Sequence, residues 1–176
     1  LSRTRRSHAP FVMMFLDLDR FKLINDTLGH RIGDLLLHGV GQRLSGTVRE
    51  ADIVARLGGD EFVVLLTELE SIDDAARVAN KLIDEIGSPM QIEGNELEMR
   101  PSIGIAVHPR DGLDLDALMR NADSAMYEAK RAGRGCFRFY DPSLNSRSIL
   151  QADLSSRFRR AIMGDEFVLH YQPRIS

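Results

Sequence analysis

Two glycines followed by two carboxylates lie between two apolar runs, and this arrangement constrains the fold of the chain more than any other segment. The apolar runs extend from Asp52 to Leu57 and from Phe62 to Leu66. Strands joined by a short Gly-rich turn form a β-hairpin, so Gly58, Gly59 and the acidic residues after them are predicted to lie at its tip. Such a tip could hold a metal ion and a phosphate, although a Gly-Gly pair by itself often only supplies positive φ in a turn.

A second acidic segment ends an apolar run near the start of the chain. The run from Phe11 to Leu16 leads into Asp17-Leu18-Asp19, which is typical of a buried strand that delivers carboxylates at its C-terminal end. Asp17 and Asp60 are then oxygen ligands of the kind that Mg²⁺ prefers, with its other positions left to water and substrate phosphate. The alternative is that both are solvated strand ends.

Basic residues stand where they could meet a phosphate. Lys22 follows the first predicted strand by about one helical turn, and Lys130 and Arg134 are spaced four apart, which suits one face of a helix. Their charges could meet a triphosphate. For Lys130 and Arg134, a solvated C-terminal helix turn favoured by the macrodipole remains the alternative.

Several separated blocks of the chain, between about Phe11 and Asp141, match the sequence motifs of a single protein family. They are the Arg56-Leu57-Gly58-Gly59-Asp60-Glu61-Phe62 run, Asp17-Leu18-Asp19, Phe21-Lys22, Asn25-Asp26-Thr27-Leu28-Gly29-His30, Ser102-Ile103-Gly104-Ile105-Ala106 and the segment from Ala122 to Arg134. In all of these blocks the chain resembles the GGDEF family of diguanylate cyclases. The resemblance implies condensation of two GTP molecules into cyclic di-GMP, with release of two pyrophosphates, at the interface of a transient antiparallel homodimer.

The resemblance also implies a role for each acidic residue. Asp17 and Asp60 would hold two Mg²⁺ ions, with Mn²⁺ as a possible substitute, together with the Leu18 carbonyl. Asp60 is also the implied general base for the attacking ribose hydroxyl, and Glu61 an additional acidic group beside the metals. Two divalent ions at these positions suit the chemistry, because they polarise the α-phosphate and neutralise the leaving pyrophosphate.

Guanine selection is expected to fall to Asn25 and Asp34. A carboxylate can accept hydrogen bonds from both the imino and the exocyclic amino group of guanine, and adenine would leave it unpaired at a cost of about 1–3 kcal/mol. His30 belongs to the same block, either as a nucleotide contact or as a structural residue. Gly58 and Gly59 would let the substrate approach the hairpin tip.

Arg49 and Asp52 form an Arg-x-x-Asp pair upstream of the hairpin. In this family such a pair at this spacing marks an inhibitory site for the product. An Arg guanidinium can stack on a guanine and grip a phosphate while the Asp accepts from a guanine edge, so bound cyclic di-GMP could hold the subunits apart. An ordinary salt bridge at a helix end is the alternative.

The order of predicted elements favours an α+β fold, a ferredoxin-like palm of the nucleotidyl cyclase type, with a central mainly antiparallel sheet flanked by helices. Strands are predicted near 11–17, 52–57, 62–66, 102–108 and 136–140, with two short strands around 93–96. Helices are predicted near 21–28, 32–49, 72–86 and 115–131, and Asp114 is a plausible N-cap for the last one.

Composition favours a soluble cytoplasmic domain: the 176 residues carry a net charge of -3 and a single Cys, at position 136. A slightly acidic chain is not expected to bind nucleic acid. No apolar stretch approaches the roughly 18 residues of a membrane span, so no membrane contact is expected of this piece, although a larger parent protein could be anchored elsewhere. Members of the GGDEF family normally carry a helix and a further segment before the first strand. That segment is absent before Phe11, so the chain is expected to begin inside that helix.

The predicted domains are a GGDEF domain over 1–141, a polar linker over 142–152 and the opening of a second domain over 153–176. The ending Phe167-Val168-Leu169-His170-Tyr171-Gln172-Pro173 resembles the start of an EAL-type cyclic di-GMP phosphodiesterase, although a plain terminal helix and strand is the alternative. An EAL domain in cis raises a rival hypothesis, in which the GGDEF unit only binds GTP and regulates its neighbour. A receptor that uses only Arg49 and Asp52 is a third hypothesis.

Overall fold

The computed structural model of the chain describes residues 10–69 and 71–143. These residues form a five-stranded sheet, a separate two-stranded sheet and four helices. In chain order the elements are β1 (Phe11–Leu18), α1 (Phe21–Leu28), α2 (His30–Thr47), β2 (Ile53–Gly58), β3 (Glu61–Leu66), α3 (Ile72–Gly87), β4 (Met90–Ile92), β5 (Asn95–Leu97), β6 (Pro101–His108), α4 (Leu115–Arg131) and β7 (Phe137–Phe139).

The five-stranded sheet has β1 at its centre, in the strand order β2-β3-β1-β6-β7. β1 pairs antiparallel with β3 on one side and with β6 on the other, and β7 adds to β6 in parallel. All eight residues of β1 are buried, as expected of a continuous apolar run in a central strand. The predicted α+β class with a mainly antiparallel central sheet is confirmed.

Helices cover both faces of this sheet. The side chains of β1 alternate between the faces. Its even-numbered residues, from Val12 to Leu18, share one core with α2 and α3. On the other face, α4 packs against β1, β6 and β7. Gly104 of β6 makes this packing close, because a Cβ there would lie 1.9 Å from the Ala122 carbonyl oxygen and 2.2 Å from the Met126 nitrogen of α4.

Side chains fix the ends of the helices. Asp114 accepts a hydrogen bond from the Ala117 N–H at 2.7 Å and caps α4, as the sequence predicted. Ser71 and Asp74 form a reciprocal capping box at the start of α3. Arg43 of α2 donates to backbone carbonyls at the end of α3 and just beyond, including Glu85 at 2.7 Å, so α2 and α3 are tied together.

The boundaries of α2 differ from the prediction of 32–49. Gly29, with a φ of +85°, separates α1 from α2, and α2 begins directly after it at His30. The helix ends at Thr47 because Val48 takes an extended conformation, with φ -92° and ψ 167°. Arg49 therefore lies in the turn after the helix rather than on it. β7 is also shorter than the predicted 136–140, with bounds at Phe137–Phe139.

By its internal contacts the chain divides into two compact units, Leu1–Asp141 and Pro142–Ser176. The resemblance to an EAL domain falls on residues 153–176, and the predicted start inside a helix falls on residues 1–9; both lie outside the described residues. These two features and the exact domain bounds stay predictions. Within the described part of the chain, no helix combines the length and hydropathy that a membrane crossing needs.

Candidate active site at the hairpin tip

The β2-β3 hairpin carries Asp60 and Glu61 to one end of the sheet. The pairing register shifts between Arg56 and Gly58, and Gly59 has a φ of +53°, a conformation that favours glycine. The Nε and Nη2 groups of Arg56 both donate to the Gly59 carbonyl, at 3.0 and 2.8 Å. The predicted hairpin is confirmed, and its turn is braced by a side chain from its own first strand.

The end of β1 meets this tip. Asp17 lies directly opposite Glu61 in the β1-β3 register. The Leu18 N–H donates to the Asp60 carbonyl at 3.3 Å. The structure thus brings together the four residues that the sequence predicted for the metal and base chemistry.

This cluster carries an excess of negative charge. Burial raises the pKa of the Asp17 carboxyl above its ordinary value; the Lys130 ammonium opposes that rise, and the nearby Asp60 carboxylate reinforces it. Burial also raises the pKa of Glu61, with the Asp17 and Asp123 carboxylates as the next causes. Carboxylates that repel one another in a partly buried site favour the entry of a cation.

The two basic residues predicted to meet phosphates are paired with the Asp-x-Asp segment. Lys130 Nζ lies 2.6 Å from Asp17 Oδ2, and the two side chains are 26% and 13% exposed. Arg134, in the loop after α4, has its Nε 3.7 Å from Asp19 Oδ1. Both cations therefore stand beside the acidic cluster, and their contact with phosphates stays a prediction.

Asp19 is a residue for which the sequence suggested no separate role. Its carboxylate accepts hydrogen bonds from the Ser102 hydroxyl at 2.9 and 3.0 Å and from the Gly135 N–H at 3.0 Å. It thus joins the end of β1 to β6 and to the loop that carries Arg134. The Asp-x-Asp spacing was a sequence signal for Asp19, but its hydrogen-bond partners lie on segments that are distant in the sequence.

Asp123 of α4 is a second residue that sequence reasoning missed. It is exposed as a residue, yet partial burial of its carboxyl group raises the pKa, and the Lys130 charge opposes this rise. Its carboxylate also acts on Glu61. The sequence signals for this position were its place in the block from Ala122 to Arg134 and its spacing of seven residues from Lys130, about two helical turns.

The residues predicted to select guanine lie where α1 meets α2. A Cβ at Gly33 would lie 1.9 Å from Asn25 Oδ1, so the amide packs directly on α2. That oxygen is buried and has no hydrogen-bond partner among the described residues, which leaves Asn25 with an unused acceptor. Asp34, next along α2, lines a cleft of about 590 Å³ together with His38 and Phe62.

Lys22 and His30 are exposed, and their side chains make no hydrogen bond or ion pair to the rest of the described chain. Lys22 lies in the first turn of α1, directly after the acidic end of β1. His30 begins α2. Their positions leave both side chains accessible to a ligand, and their predicted roles are not tested by these contacts.

The Arg49 and Asp52 pair lies in the turn before β2. Asp52 accepts hydrogen bonds from the Arg49 N–H at 3.0 Å and from the Thr67 N–H at 2.9 Å. Its carboxylate thus ties this turn to the end of β3, whereas the Arg49 guanidinium is left exposed. The alternative of a salt bridge between the two side chains is not what the structure shows.

The donor set at the hairpin tip fits a hard divalent cation. Its groups are all oxygens, from carboxylates and the Leu18 carbonyl, and Mg²⁺ needs only one or two protein carboxylates when substrate phosphate and water complete its shell. In residues 10–69 and 71–143, no three His, Cys, Asp or Glu side chains form a ready cage for an ion.

Comparison of the sequence with known protein families finds a match. Residues 1–136 match the family described as "Diguanylate cyclase, GGDEF domain". The bifunctional diguanylate cyclase/cyclic di-GMP phosphodiesterase MucR of Pseudomonas aeruginosa is 45% identical over 170 residues, which are 97% of this chain and 25% of MucR. The cyclic di-GMP phosphodiesterase NbdA of the same species is 38% identical, over 92% of this chain and 20% of NbdA.

The fold of this chain is similar to that of solved structures. The crystal structure of the GGDEF domain of YfiN, also called TpbB, from Pseudomonas aeruginosa has a TM-score of 0.76 and 42% identity, over 80% of this chain and 88% of that one. The chain spans between a fifth and a quarter of the length of the curated relatives described above.

Proposed function

The chain belongs to the GGDEF family of diguanylate cyclase domains, and on that premise we propose that it condenses two GTP molecules into cyclic di-GMP and two pyrophosphates. The observation that carries the proposal is the acidic cluster at the hairpin tip, where Asp17 faces Glu61 across β1 and β3 beside Asp60 and Lys130. A solvated strand end does not place repelling carboxylates in a partly buried site next to a lysine.

Asp17, Asp60 and the Leu18 carbonyl would hold two Mg²⁺ ions, with Mn²⁺ as a substitute. When bound, these ions polarise the α-phosphate and offset the charge of the leaving pyrophosphate. Asp60 takes the proton of the ribose 3′-hydroxyl as that oxygen attacks the α-phosphorus of the other GTP. Glu61 keeps the local field negative and so favours both the cations and the proton transfer.

The nucleotide is bound at both of its ends. Asp34 accepts from the guanine imino and amino groups, and Asn25 offers the acceptor that has no partner within the described chain; His30 borders the same site. At the other end, Lys22, Lys130 and Arg134 meet the phosphates through charge-assisted hydrogen bonds. Gly58 and Gly59 leave room for the substrate, since a Cβ at either would touch nothing within 4 Å.

A complete ring needs two such half-sites. Each chain activates one hydroxyl, so two phosphodiester bonds form only when a second copy of the domain presents its own GTP, in a transient homodimer. We also propose product inhibition at Arg49 and Asp52. The exposed Arg49 guanidinium could stack on guanine, while Asp52 holds the turn.

A second candidate function is a catalytically silent GTP-binding regulator of a downstream EAL phosphodiesterase. The observation in its favour is the 38% identity to NbdA, which is named a cyclic di-GMP phosphodiesterase although the match spans 92% of this chain. In either case we propose action in the cytoplasm, where GTP is found, and an EAL domain in cis.

The two functions are separated by incubating the 176-residue chain with GTP and Mg²⁺ at several protein concentrations. Chromatography and mass spectrometry identify the product. For a cyclase, we expect cyclic di-GMP at a rate that rises more steeply than linearly with protein concentration. For a regulator, GTP should bind, as isothermal titration would detect, and remain intact.

A further inference from the structure

The Lys130 ammonium occupies the place of a cation within the acidic cluster. It lies 2.6 Å from Asp17 Oδ2, and its charge opposes the raised pKa values of Asp17, Glu61 and Asp123. One ammonium is therefore paired with Asp17 and acts electrostatically on two further carboxylates. Any divalent ion that binds Asp17 must compete with it.

The helix that carries Lys130 packs closely on β6, whereas the Lys130 side chain is long and partly exposed. α4 is seated against Gly104 by contacts of its backbone at Ala122 and Met126, so the base of the Lys130 side chain has a constant position. The ammonium stands at the end of a four-carbon stem, and the side chain as a whole is a quarter exposed. It can leave Asp17 without any movement of the backbone.

We propose that Lys130 is a built-in counter-ion that a divalent cation displaces from Asp17, and that this exchange frees Lys130 for an anionic ligand such as a nucleotide triphosphate. The identity of that metal and ligand rests on the function proposed above. The exchange makes binding of the metal and binding of the phosphates mutually favourable. The metal releases the Lys130 ammonium that the phosphates need, and the phosphates accept the ammonium that the metal expels.

Arg134 provides the contrast within the same region. Its partner Asp19 is held by the Ser102 hydroxyl and the Gly135 N–H, and the Arg134 to Asp19 separation is a longer 3.7 Å. A metal at Asp17 does not need to break that pair. Substitution of Arg134 is thus a matched control, because it removes one positive charge from the same neighbourhood but leaves Lys130 on the Asp17 oxygens.

The test measures the affinity of the chain for Mn²⁺ alone, without nucleotide, from the loss of the free-ion signal in electron paramagnetic resonance. Lys130→Met should bind Mn²⁺ about tenfold more tightly than the parent chain, since the competing ammonium is gone. Arg134→Met should change the affinity by less than about threefold, because a charge further away is screened by salt. Circular dichroism establishes that each variant is folded, and Lys130→Gln takes the place of Lys130→Met if that variant is not.

Equal affinities of the parent and Lys130→Met for Mn²⁺ would overturn the proposal, and so would equal gains in the two variants, which would indicate a general charge effect. Thermal unfolding gives an independent readout: without metal, Lys130→Met should melt below the parent, and saturating Mn²⁺ should remove this difference. The outcome does not depend on turnover, so a chain that makes no cyclic di-GMP can still show the exchange.

Discussion

Asp60 is the residue on which the proposed chemistry depends most. Replacement by Asn keeps its size and its backbone carbonyl, which accepts from the Leu18 N–H, but removes the charge proposed to bind the metal and the base proposed to take the proton. We expect Asp60→Asn to lower cyclic di-GMP formation by roughly a hundredfold or more, while the fold and part of the GTP binding remain. Product chromatography and isothermal titration measure the two effects.

A suitable control for this prediction is Asp84→Asn. Asp84 is an exposed carboxylate of α3, so the same chemical change there removes a charge without touching the acidic cluster. The control should keep the parent rate. Full activity in Asp60→Asn would remove Asp60 from the catalytic assignment.

Glu61 gives a prediction about pH. Folding raises the pKa of this carboxyl above its ordinary value of 4.5, so between the ordinary and the raised pKa the folded chain binds more protons at this site than the unfolded chain does. Below pH 4 both states are protonated and nothing is lost; as pH rises through the raised pKa, ionisation costs the folded state. Glu61→Gln should therefore raise the melting temperature of the metal-free chain at pH 7 by roughly 2–4 °C.

The gain from Glu61→Gln should vanish at pH 4, which melting curves at several pH values would detect. Glu50→Gln is the control, because Glu50 is exposed in the turn before β2 and its neutralisation should change little at any pH. A lower melting temperature for Glu61→Gln at pH 7 would contradict the electrostatic account of the cluster.

At the scale of the element, the strength of the local signal decided how well each segment was predicted. β1 and the hairpin follow from sequence because long apolar runs and a Gly-Gly turn are local features. The end of α2 does not, because the extended conformation of Val48 leaves no mark in the helical periodicity. The Lys130 to Asp17 pair joins segments more than a hundred residues apart, and only the seating of α4 brings it about.

The seating of α4 can be tested at Gly104. A methyl group there would lie 1.9 Å from the Ala122 carbonyl oxygen, a backbone atom that cannot turn aside, so Gly104→Ala must push α4 away from β6. We expect a loss of about 2–4 kcal/mol in the free energy of unfolding, measured by urea denaturation, together with weaker GTP binding as Lys130 shifts.

Gly46→Ala is the matched control for this element. Gly46 lies in α2, and a Cβ there would touch nothing within 4 Å, so the change should stabilise the chain by about 0.5–1 kcal/mol through helix propensity alone. If the two substitutions had equal effects, the close packing of α4 on β6 would not be what fixes that helix.

At the scale of the whole molecule, the acidic residues of the site were foreseeable from sequence, but the way they act together was not. Family resemblance and strand-end logic identified Asp17, Asp60 and Glu61. The roles of Asp19 and Asp123 emerged only from the fold, because each works through partners on other elements. The same limit applies to the second subunit: one chain holds one cluster, and the reaction proposed for it forms two bonds.

That requirement predicts how mixtures behave. If each chain activates the hydroxyl of its own GTP, a dimer of one parent chain and one Asp60→Asn chain can form one bond but cannot close the ring. An equal mixture of the two at constant total protein should then make cyclic di-GMP at about one quarter of the parent rate, since only dimers of two parent chains are productive. Independent chains would give about half. A linear dinucleotide, detected by mass in the mixture and not with the parent alone, would be the product of the mixed dimers.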